Sequence, residues 1–369
     1  MSLRVLVSGM ACGDPWQGGA TWALAQYVLG LRRLGHDVWL VEPVAADLDR
    51  RYAAEVVHAF QLENRAAFVA RGTASTVVGV PYEQLRAVHF DVHLNVAGLL
   101  EDPALVEEIP TRVYLDLDPA FTQLWHATQE VDMRLEGHTH FVTAGQAIGT
   151  PSCPIPTCGV DWIPTLPPVV LEHWVEAAVN GARGYTTVGN WRSYGSIEHA
   201  GIRYGQRAHS MRAFFDLPDR VGLPCQVALA IDGGERVDLA ALVAHGWQLV
   251  DPLTAAGTPE RYRSFLRGSR AEIGIAKSGY VLSRCGWFSD RSACYLACGR
   301  PVVAQDTGAH LIPEGRGLVA FSSLDDAVGA IEDVERDYTG HASVARELAV
   351  EYLDSDRVLT GLLEAVGVG

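Results

Sequence analysis

The chain has 369 residues, of which 48% are hydrophobic and 20% charged, and these values predict a folded globular protein large enough for two domains. Its formal net charge of −15 argues against nucleic acid or an anionic membrane surface as the main partner. A small phosphorylated ligand stays possible because it needs only local positive charge.

The start of the chain and its cysteines predict a cytoplasmic protein. The first residues run directly into an apolar strand without a secretory pattern, and no apolar run reaches the roughly 18 residues that a membrane span needs. The seven cysteines lack the paired spacing of a zinc site. We therefore expect reduced thiols, no transmembrane segment, no cofactor and no metal.

The N-terminal part begins as a βαβ unit. Residues 3–8 form an apolar run of strand length, a Gly-rich turn follows, and apolar residues recur at helical spacing over 21–34 before a second strand at 38–41. The turn lacks the GxGxxG spacing of dinucleotide-binding proteins. Gly18 and Gly19 could permit close packing of the helix on the strand, or could bring backbone amides to a phosphate or sugar across a cleft. An amphipathic pattern predicts a further helix over 47–70.

Two carboxylates end the strand predicted at 111–117. Asp116 and Asp118 are two residues apart, so they point to the same side and could act as a general base, a sugar-hydroxyl acceptor or a metal ligand. Asp118 could instead cap the helix that starts after Pro119. His138 and His140 flank the next strand, but they lack a third metal ligand.

A Pro-rich segment separates two halves of similar pattern. Residues 149–168 contain six prolines, which predicts a non-helical connector near a domain boundary. The alternation of strands and helices then restarts with a strand at 185–189, after which come Gly189, Asn190 and Arg192. Near the end, a helical pattern over 344–366 is interrupted at 354–356.

The stretch 271–317 predicts the ligand end of an α/β domain. A strand and a loop containing Lys277, the only lysine in the chain, precede a helix at 290–298 that Ser289 or Asp290 can cap. A helix N-terminus attracts anions through its free amides and its dipole. The next strand ends in a polar turn, residues 306–308, at the same edge of the sheet.

The segment ACGRPVVAQDTG at residues 297–308 resembles the ACGxPVVAxxxGG segment of the family 4 glycosyltransferases. SCPIPTCGVDW, TTVGNW and GWFSDRSACYLACGRPVV are similar to phrases of a group of bacterial glycosyltransferase-like proteins of undefined substrate. The resemblance implies an α/β, GT-B fold with two Rossmann-like domains facing across a cleft. It predicts an acceptor domain at 1–168, a donor domain at 169–345, and a C-terminal helix at 346–369 that crosses back to the first domain.

The same resemblance implies transfer of a sugar from a nucleotide-diphosphate sugar to a hydroxyl of an unidentified acceptor. The paired glutamates of the family's E-x7-E motif would fall at Gly286 and Cys294, so their roles cannot be carried over. A nucleotide-sugar epimerase or hydrolase, or a non-catalytic binding protein, therefore remains an alternative. The lack of a DxD-like acidic pair near the expected diphosphate predicts independence from metal.

Breaking the sugar–phosphate bond leaves negative charge on the departing phosphate. Hydrogen-bond donors fixed towards that charge contribute strongly to catalysis, so we look for such donors among the site residues. Three alternatives stay open: Arg291 could form a salt bridge, Asp290 could cap the helix, and Lys277 could lie on the surface. The catalytic candidates are Asp116, His138 and Lys277, with Asp14 as a further possible base. The predicted donor-binding residues are Gly18, Gly19, Gly189, Asn190, Arg192, Lys277, Arg284, Ser289, Asp290, Arg291, Ser292, Asp306, Thr307 and Gly308.

Overall fold

A computed structural model describes residues 2–176 and 183–369. The N-terminal half forms one sheet of strands β1 (Arg4–Ser8), β2 (Asp37–Val44), β3 (Ala66–Ala70), β4 (Thr76–Gly79), β5 (Val92–Val96), β6 (Thr111–Asp116), β7 (His140–Thr143) and β8 (Trp162–Pro164). Their order is β4-β3-β2-β1-β5-β6-β7-β8, and β3 pairs with β4 antiparallel while the other neighbours are parallel. The central strands are buried along nearly their whole length, as expected for parallel strands that are covered on both faces.

The helices of this half are α1 (Gly18–Arg33), α2 (Arg50–Ala59), α3 (Tyr82–Arg86), α4 (Pro103–Val106) and α5 (Phe121–Thr128). Helix α1 is buried on several sides, and residues at nearly every turn are inaccessible. It packs on the first sheet and also meets the C-terminal half, where the indole Nε1 of Trp22 donates to the carbonyl of Pro259 at 2.8 Å. The start of α1 therefore lies at the junction of the two halves.

The C-terminal half contains strands β9 (Tyr185–Asn190), β10 (Ile197–His199), β11 (Ile202–Tyr204), β12 (Cys225–Ala230), β13 (Trp247–Leu249), β14 (Ala271–Gly274), β15 (Val302–Gln305) and β16 (Leu318–Phe321). Strands β10 and β11 form a separate hairpin, and the others form a parallel sheet of order β13-β12-β9-β14-β15-β16. This is the doubly wound Rossmann order. Successive strands are added on one side of β9 up to β13, and the later strands are added on its other side from β14, so the strand order reverses between β9 and β14. Ligands of such sheets bind outside the carboxyl ends of the strands at that reversal.

The helices of the C-terminal half are α6 (Arg207–Met211), α7 (Leu217–Val221), α8 (Arg236–Ala244), α9 (Pro252–Ala256), α10 (Pro259–Arg267), α11 (Ser278–Ser283), α12 (Asp290–Ala297), α13 (Leu324–Arg336), α14 (Tyr338–Leu348) and α15 (Ser355–Ala365). Helix α12 has the predicted bounds within one residue. The hydroxyl of Ser289 accepts from the amide of Arg291, and the chain leaves the helix at Gly299 with a φ of +65°.

The end of the chain crosses back onto the N-terminal half. A π-helical turn at Ala349–Leu353 and an N-cap at Asp354 separate α14 from α15, at the interruption that the sequence predicts. A Cβ on Gly30 of α1 would lie 2.5 Å from Leu359, so only glycine allows α15 to approach this closely. An ion pair of 3.0 Å between Arg33 and Asp356 borders the contact. The domain boundaries at residues 168 and 345 stay a prediction.

Two local predictions are wrong. The helix predicted over 47–70 ends as α2 at Ala59, and residues 66–70 form the buried strand β3. The short apolar run AAFVA fits either structure locally, and pairing with β2 and β4 decides for the strand. The loop predicted after β14 contains the short helix α11. No helix among the described residues is long and apolar enough to cross a membrane.

Candidate functional site

A cleft of about 420 Å³ lies between the two halves, where the start of α1 faces the carboxyl ends of β9 and β12. Its N-terminal wall is the Gly-rich turn, including Asp14, Trp16 and Gly19. Its C-terminal wall includes the predicted residues Gly189, Asn190, Asp290 and Arg291, together with Ala230, Leu253, Ala256 and Tyr262. The structure therefore brings part of the predicted donor set together at the edge that binds ligands in Rossmann-like sheets.

Arg291 lies in the floor of this cleft, one residue into α12. It is 7% exposed, and its Nε lies 2.5 Å from the carboxylate of Glu272 while Nη1 donates to the carbonyl of Val188 at 3.0 Å. Burial acts to lower the pKa of Arg291, but the attraction of Glu272 prevails and the pKa is raised. Arg291 is thus a permanent cation, held by an ion pair with a neighbouring strand rather than with Asp290.

Arg207 is a second buried arginine at the same edge, and the sequence did not single it out. Its Nε donates to the carbonyl of Asn190 at 3.2 Å and its Nη1 to the carbonyl of Ile275 at 2.8 Å, while Nη2 lies beside Gly189. Burial, and secondarily the charge of Arg291, lowers the pKa of Arg207 to about 9. It remains protonated at neutral pH, yet it makes no ion pair with a carboxylate of the described residues.

Of the two guanidinium groups, only that of Arg291 has a close carboxylate partner in the described part of the chain, that of Glu272, which is fully buried. Its second oxygen, Oε2, has no hydrogen-bond partner among the described residues. A buried cation is costly unless a counter-charge meets it. Arg207 and Arg291 therefore give the Gly189–Asn190 edge of the cleft an excess of positive charge that an anionic ligand would balance.

A smaller cavity of about 30 Å³ lies on the other side of Arg291 and contains a second group of predicted residues. Ser289, Ser292, Asp306 and Thr307 line it. The hydroxyl of Thr307 donates to the carbonyl of Trp287 at 2.6 Å, so this side chain is already engaged. Arg291 borders both cavities, which makes it the side chain shared by the two groups.

Lys277 lies in a polar cluster that joins the two halves. Its Nζ is 3.1 Å from the carboxylate of Asp118 and 2.5 Å from the hydroxyl of Tyr194. The hydroxyls of Tyr194 and Tyr280 donate to the same carboxylate. Burial lowers the pKa of Lys277 against the opposing effect of Asp118. The ammonium group does not line the cleft of Arg291, and Asp118 binds it instead of capping α5.

Asp116 is held in a closed set of hydrogen bonds. It is 1% exposed, and its oxygens accept from the side chains of Thr122, Gln123 and Thr143, each at 2.8 Å, and from the amide of Asp118 at 3.0 Å. Burial raises its pKa in spite of these donors. This arrangement fits a carboxylate that shapes the end of β6, and it offers no free oxygen to an attacking hydroxyl.

His138 packs on a face of the first sheet, away from the residues that line the cleft. Its Nε2 lies 3.0 Å from Nδ2 of Asn95, which is a donor, so Nδ1 carries the proton and faces the carbonyl of Leu135 at 3.3 Å. Burial lowers the pKa of His138. Asp14 differs from both other candidate bases because it is exposed and lines the cleft.

Gly18 and Gly19 approach the C-terminal half directly. A Cβ on Gly18 would lie 2.3 Å from the carbonyl oxygen of Thr258, and one on Gly19 would lie 2.9 Å from the ring of Tyr262. Gly18 therefore serves close packing, but against the turn before α10 in the other half and not, as expected, against a strand of its own sheet. Gly19 also borders the cleft.

The remaining predicted residues have partners outside the cleft. Arg192 pairs with Glu235, and Arg284 is exposed and lies 3.2 Å from Asp306. Gly308 has a φ of +107° and passes close to the backbone of Arg284. The side chains of Arg192 and Arg284 are therefore already paired with carboxylates and do not line the cleft.

Gly286 and Cys294, which occupy the two positions of the E-x7-E motif, lie in surroundings that differ from those of a glutamate pair. Gly286 has a φ of +70°, and a Cβ there would lie 2.3 Å from the carbonyl oxygen of Ala309, so the backbone leaves no room for a longer side chain. Cys294 is buried, and its Sγ lies 3.8 Å from Nε2 of Gln26 in α1.

Sequence reasoning missed three residues of this site. Arg207 is one arginine among many, and only its burial beside Gly189 distinguishes it. Glu272 lies inside a short apolar strand, where a charged residue next to a predicted anion site is a signal that could have been read. Tyr262 is placed by the packing of α10 against α1.

Solved structures with the same fold cover the whole chain. AviGT4, a glycosyltransferase involved in avilamycin A biosynthesis, is 14% identical with a TM-score of 0.58, over 99% of this chain and 97% of that one. Alr3699/HepE from Anabaena, in complex with UDP and glucose, is 11% identical with a TM-score of 0.60, over 99% of both chains. An α-glucosyltransferase in complex with UDP and a 13-mer DNA is 12% identical with a TM-score of 0.58, over 99% of this chain and 100% of that one.

These similarities establish the fold. The chain is an α/β protein with the GT-B fold, as the sequence predicted, and its two Rossmann-like domains face each other across the cleft described above. Neither a family model nor a curated protein matches the sequence.

Proposed function

We propose that the protein is a glycosyltransferase that moves a sugar from a nucleotide-diphosphate sugar to the hydroxyl of a separate acceptor. The observation that carries the proposal is the pair of buried guanidinium groups, Arg207 and Arg291, at the reversal point of the C-terminal sheet. They flank the Gly189–Asn190 edge of an interdomain cleft, and of the two only Arg291 has a carboxylate partner within the described residues, Glu272. An uncompensated buried cation at this place fits a diphosphate.

The proposed reaction uses these cations where charge develops. The acceptor oxygen attacks the anomeric carbon, the bond from that carbon to the β-phosphate oxygen breaks, and its electron pair stays on the nucleoside diphosphate. The hydroxyl proton leaves to a base or to the departing phosphate. Arg207, Arg291 and the amides at the start of α12 would stabilise the departing phosphate, because they are fixed before the reaction begins.

Binding of nucleoside diphosphates tests the first step. We expect one of UDP, GDP, TDP and ADP to stabilise the protein against thermal unfolding, by about 2.7 kcal/mol at a concentration one hundred times its dissociation constant. The corresponding nucleoside without phosphates is the matched control and should stabilise it much less. Equal stabilisation by nucleoside and diphosphate, or none by any nucleotide, would remove the proposed phosphate site.

Turnover distinguishes a transferase from the other enzymes that the fold could support. Incubation of the sugar donor without acceptor should leave it intact over the time in which added acceptor is glycosylated. Rapid release of free sugar, or epimerisation, would identify a hydrolase or epimerase instead. Tight diphosphate binding without turnover of any donor would indicate a binding protein.

A further inference from the structure

A third cavity, a pocket of about 90 Å³, lies beyond Asp290 as seen from the cleft. Asp290 and Tyr262 line both cavities, so the pocket and the cleft meet at these two side chains. The pocket is enclosed by both halves of the protein, because α1 provides Trp22 and Tyr27 while the loop before α12 provides Trp287 and Phe288. A molecule in it would face the proposed donor across Asp290.

The walls of this pocket are mainly apolar and aromatic. One water molecule needs about 10–15 Å³ of such space, so the volume has room for a group much larger than a single water. Apart from Asp290, the polar groups on its walls include Gln26, whose amide is already engaged with the amide of Val170 at 2.8 Å and with the Sγ of Cys294 at 3.8 Å. A sugar ring, with several hydroxyls to satisfy, would lose hydrogen bonds here.

The carboxylate of Asp290 is the acidic group at the junction, and the backbone amides of Arg291 and Asp290 donate towards it. Ser289, rather than Asp290, caps α12, and no side chain of the described residues donates a hydrogen bond to the Asp290 carboxylate. Burial raises its pKa, while the charge of Arg291 opposes that shift. The hydroxyl of Tyr27, whose ring lines the pocket, is buried and has no partner among the described residues. Both groups could therefore engage a hydroxyl brought in by a ligand.

We infer that this pocket binds the apolar ring of the acceptor, a compact aromatic or alicyclic alcohol, and that Asp290 accepts a hydrogen bond from the hydroxyl to be glycosylated. The inference rests on the proposed function, to which it adds the chemical class of the acceptor. It also gives a reason for the thiol of Cys294 where family 4 enzymes have a glutamate, since Cys294 forms part of the apolar wall.

Ligand-observed fluorine NMR with 4-fluorophenol tests the pocket without requiring turnover. We expect saturable binding by the 369-residue chain, both with and without the nucleoside diphosphate that binds best. Ala144 is a buried residue of the pocket wall, so Ala144→Leu should fill the space and weaken binding by about tenfold or more. Ala365→Leu adds the same side chain at an exposed position and should leave binding unchanged.

A second variant keeps the test decisive if Ala144→Leu fails to fold. Asp290→Asn preserves the shape of the side chain, so 4-fluorophenol should still bind while its glycosylation falls by about tenfold or more. Absence of saturable binding, binding that Ala144→Leu leaves unchanged in a folded protein, or full glycosylation by Asp290→Asn would each overturn the inference. If the protein binds the diphosphate but not the alcohol, the inferred acceptor pocket alone is refuted. If the protein binds no nucleoside diphosphate, the proposed function is refuted.

Discussion

Lys277 and Asp118 form an ion pair that joins the two halves of the protein, with Nζ 3.1 Å from the carboxylate. Asp118 follows β6 of the first sheet and Lys277 follows β14 of the second, so the pair connects the carboxyl edges on opposite sides of the interface. Phe121, Tyr194 and Tyr280 surround the ammonium with their ring faces. The only lysine of the chain is thus a connection between the domains in this structure.

Removal of this lysine should destabilise the protein. Lys277 and Asp118 are 17% and 30% exposed, so Lys277→Met leaves a largely shielded carboxylate without its cation, and we expect a loss of roughly 2 kcal/mol in the free energy of unfolding. Arg220→Met breaks the exposed pair of Arg220 with Asp325 and should cost less than about 1 kcal/mol. Urea unfolding measures both. Equal losses in the two variants would show that the Lys277 pair is no stronger than a surface pair.

Substitution of Arg207 should weaken diphosphate binding selectively. Arg207→Gln removes the guanidinium beside Gly189, and the loss of charge-assisted hydrogen bonds worth about 2 kcal/mol would raise the dissociation constant of the best nucleoside diphosphate about 30-fold. Arg192→Gln is the matched control, because Arg192 pairs with Glu235 outside the cleft. Calorimetric titration measures both affinities. A larger effect at Arg192 would favour the site predicted from sequence over the one described here.

Arg291 requires a compensated variant. Arg291→Gln alone would leave the buried carboxylate of Glu272 without its cation, and the protein could unfold for that reason. The double variant Arg291→Gln with Glu272→Gln removes both charges and should fold. We expect its diphosphate affinity to fall by about tenfold or more, because the floor of the cleft loses a cation. Unchanged affinity in a folded double variant would exclude Arg291 from the phosphate site.

The packing role of Gly18 predicts a large effect of one added methyl group. Gly18→Ala would place Cβ 2.3 Å from the carbonyl oxygen of Thr258, so the halves must shift, and we expect a loss of about 1–3 kcal/mol in stability. Gly329→Ala, in the exposed part of α13 with nothing within 4 Å, should instead stabilise the protein by up to about 1 kcal/mol. Thermal unfolding distinguishes them. An equal or stabilising effect at Gly18 would contradict the observed close contact.

Because His93 is buried, we expect the free energy of unfolding to decrease in acid. Burial lowers its pKa from 6.5 to about 3, so below pH 6.5 the unfolded chain binds a proton that the folded protein does not. Stability should therefore fall as the pH decreases from 6.5 towards 3, with a contribution from His93 of about 1.4 kcal/mol per pH unit. His93→Gln should reduce this slope, whereas the exposed His58→Gln should not. Urea unfolding at pH 7.0 and 5.5 measures the slopes, and identical slopes in all three proteins would assign the effect elsewhere.

The proposed reaction should not need a metal ion. Two guanidinium groups beside the Gly189–Asn190 edge could neutralise the leaving diphosphate. We expect glycosyl transfer to be unchanged by EDTA, measured with the donor and acceptor identified by the binding experiments. Loss of activity that added magnesium or manganese restores would contradict this expectation.

The sequence by itself determined the alternation of strands and helices and the local structure around α12. Ser289 and Gly299 bound this helix in the structure because capping depends on neighbouring residues only. Short apolar runs near residues 66–70 carried no such local signal, and only pairing with β2 and β4 decided their structure. Tertiary structure also decided the charge of the site, because the positions of Arg207 and Glu272 beside Arg291 depend on which strands are neighbours. Lys277 and Gly18 make contacts between halves far apart in the chain, which no local pattern encodes.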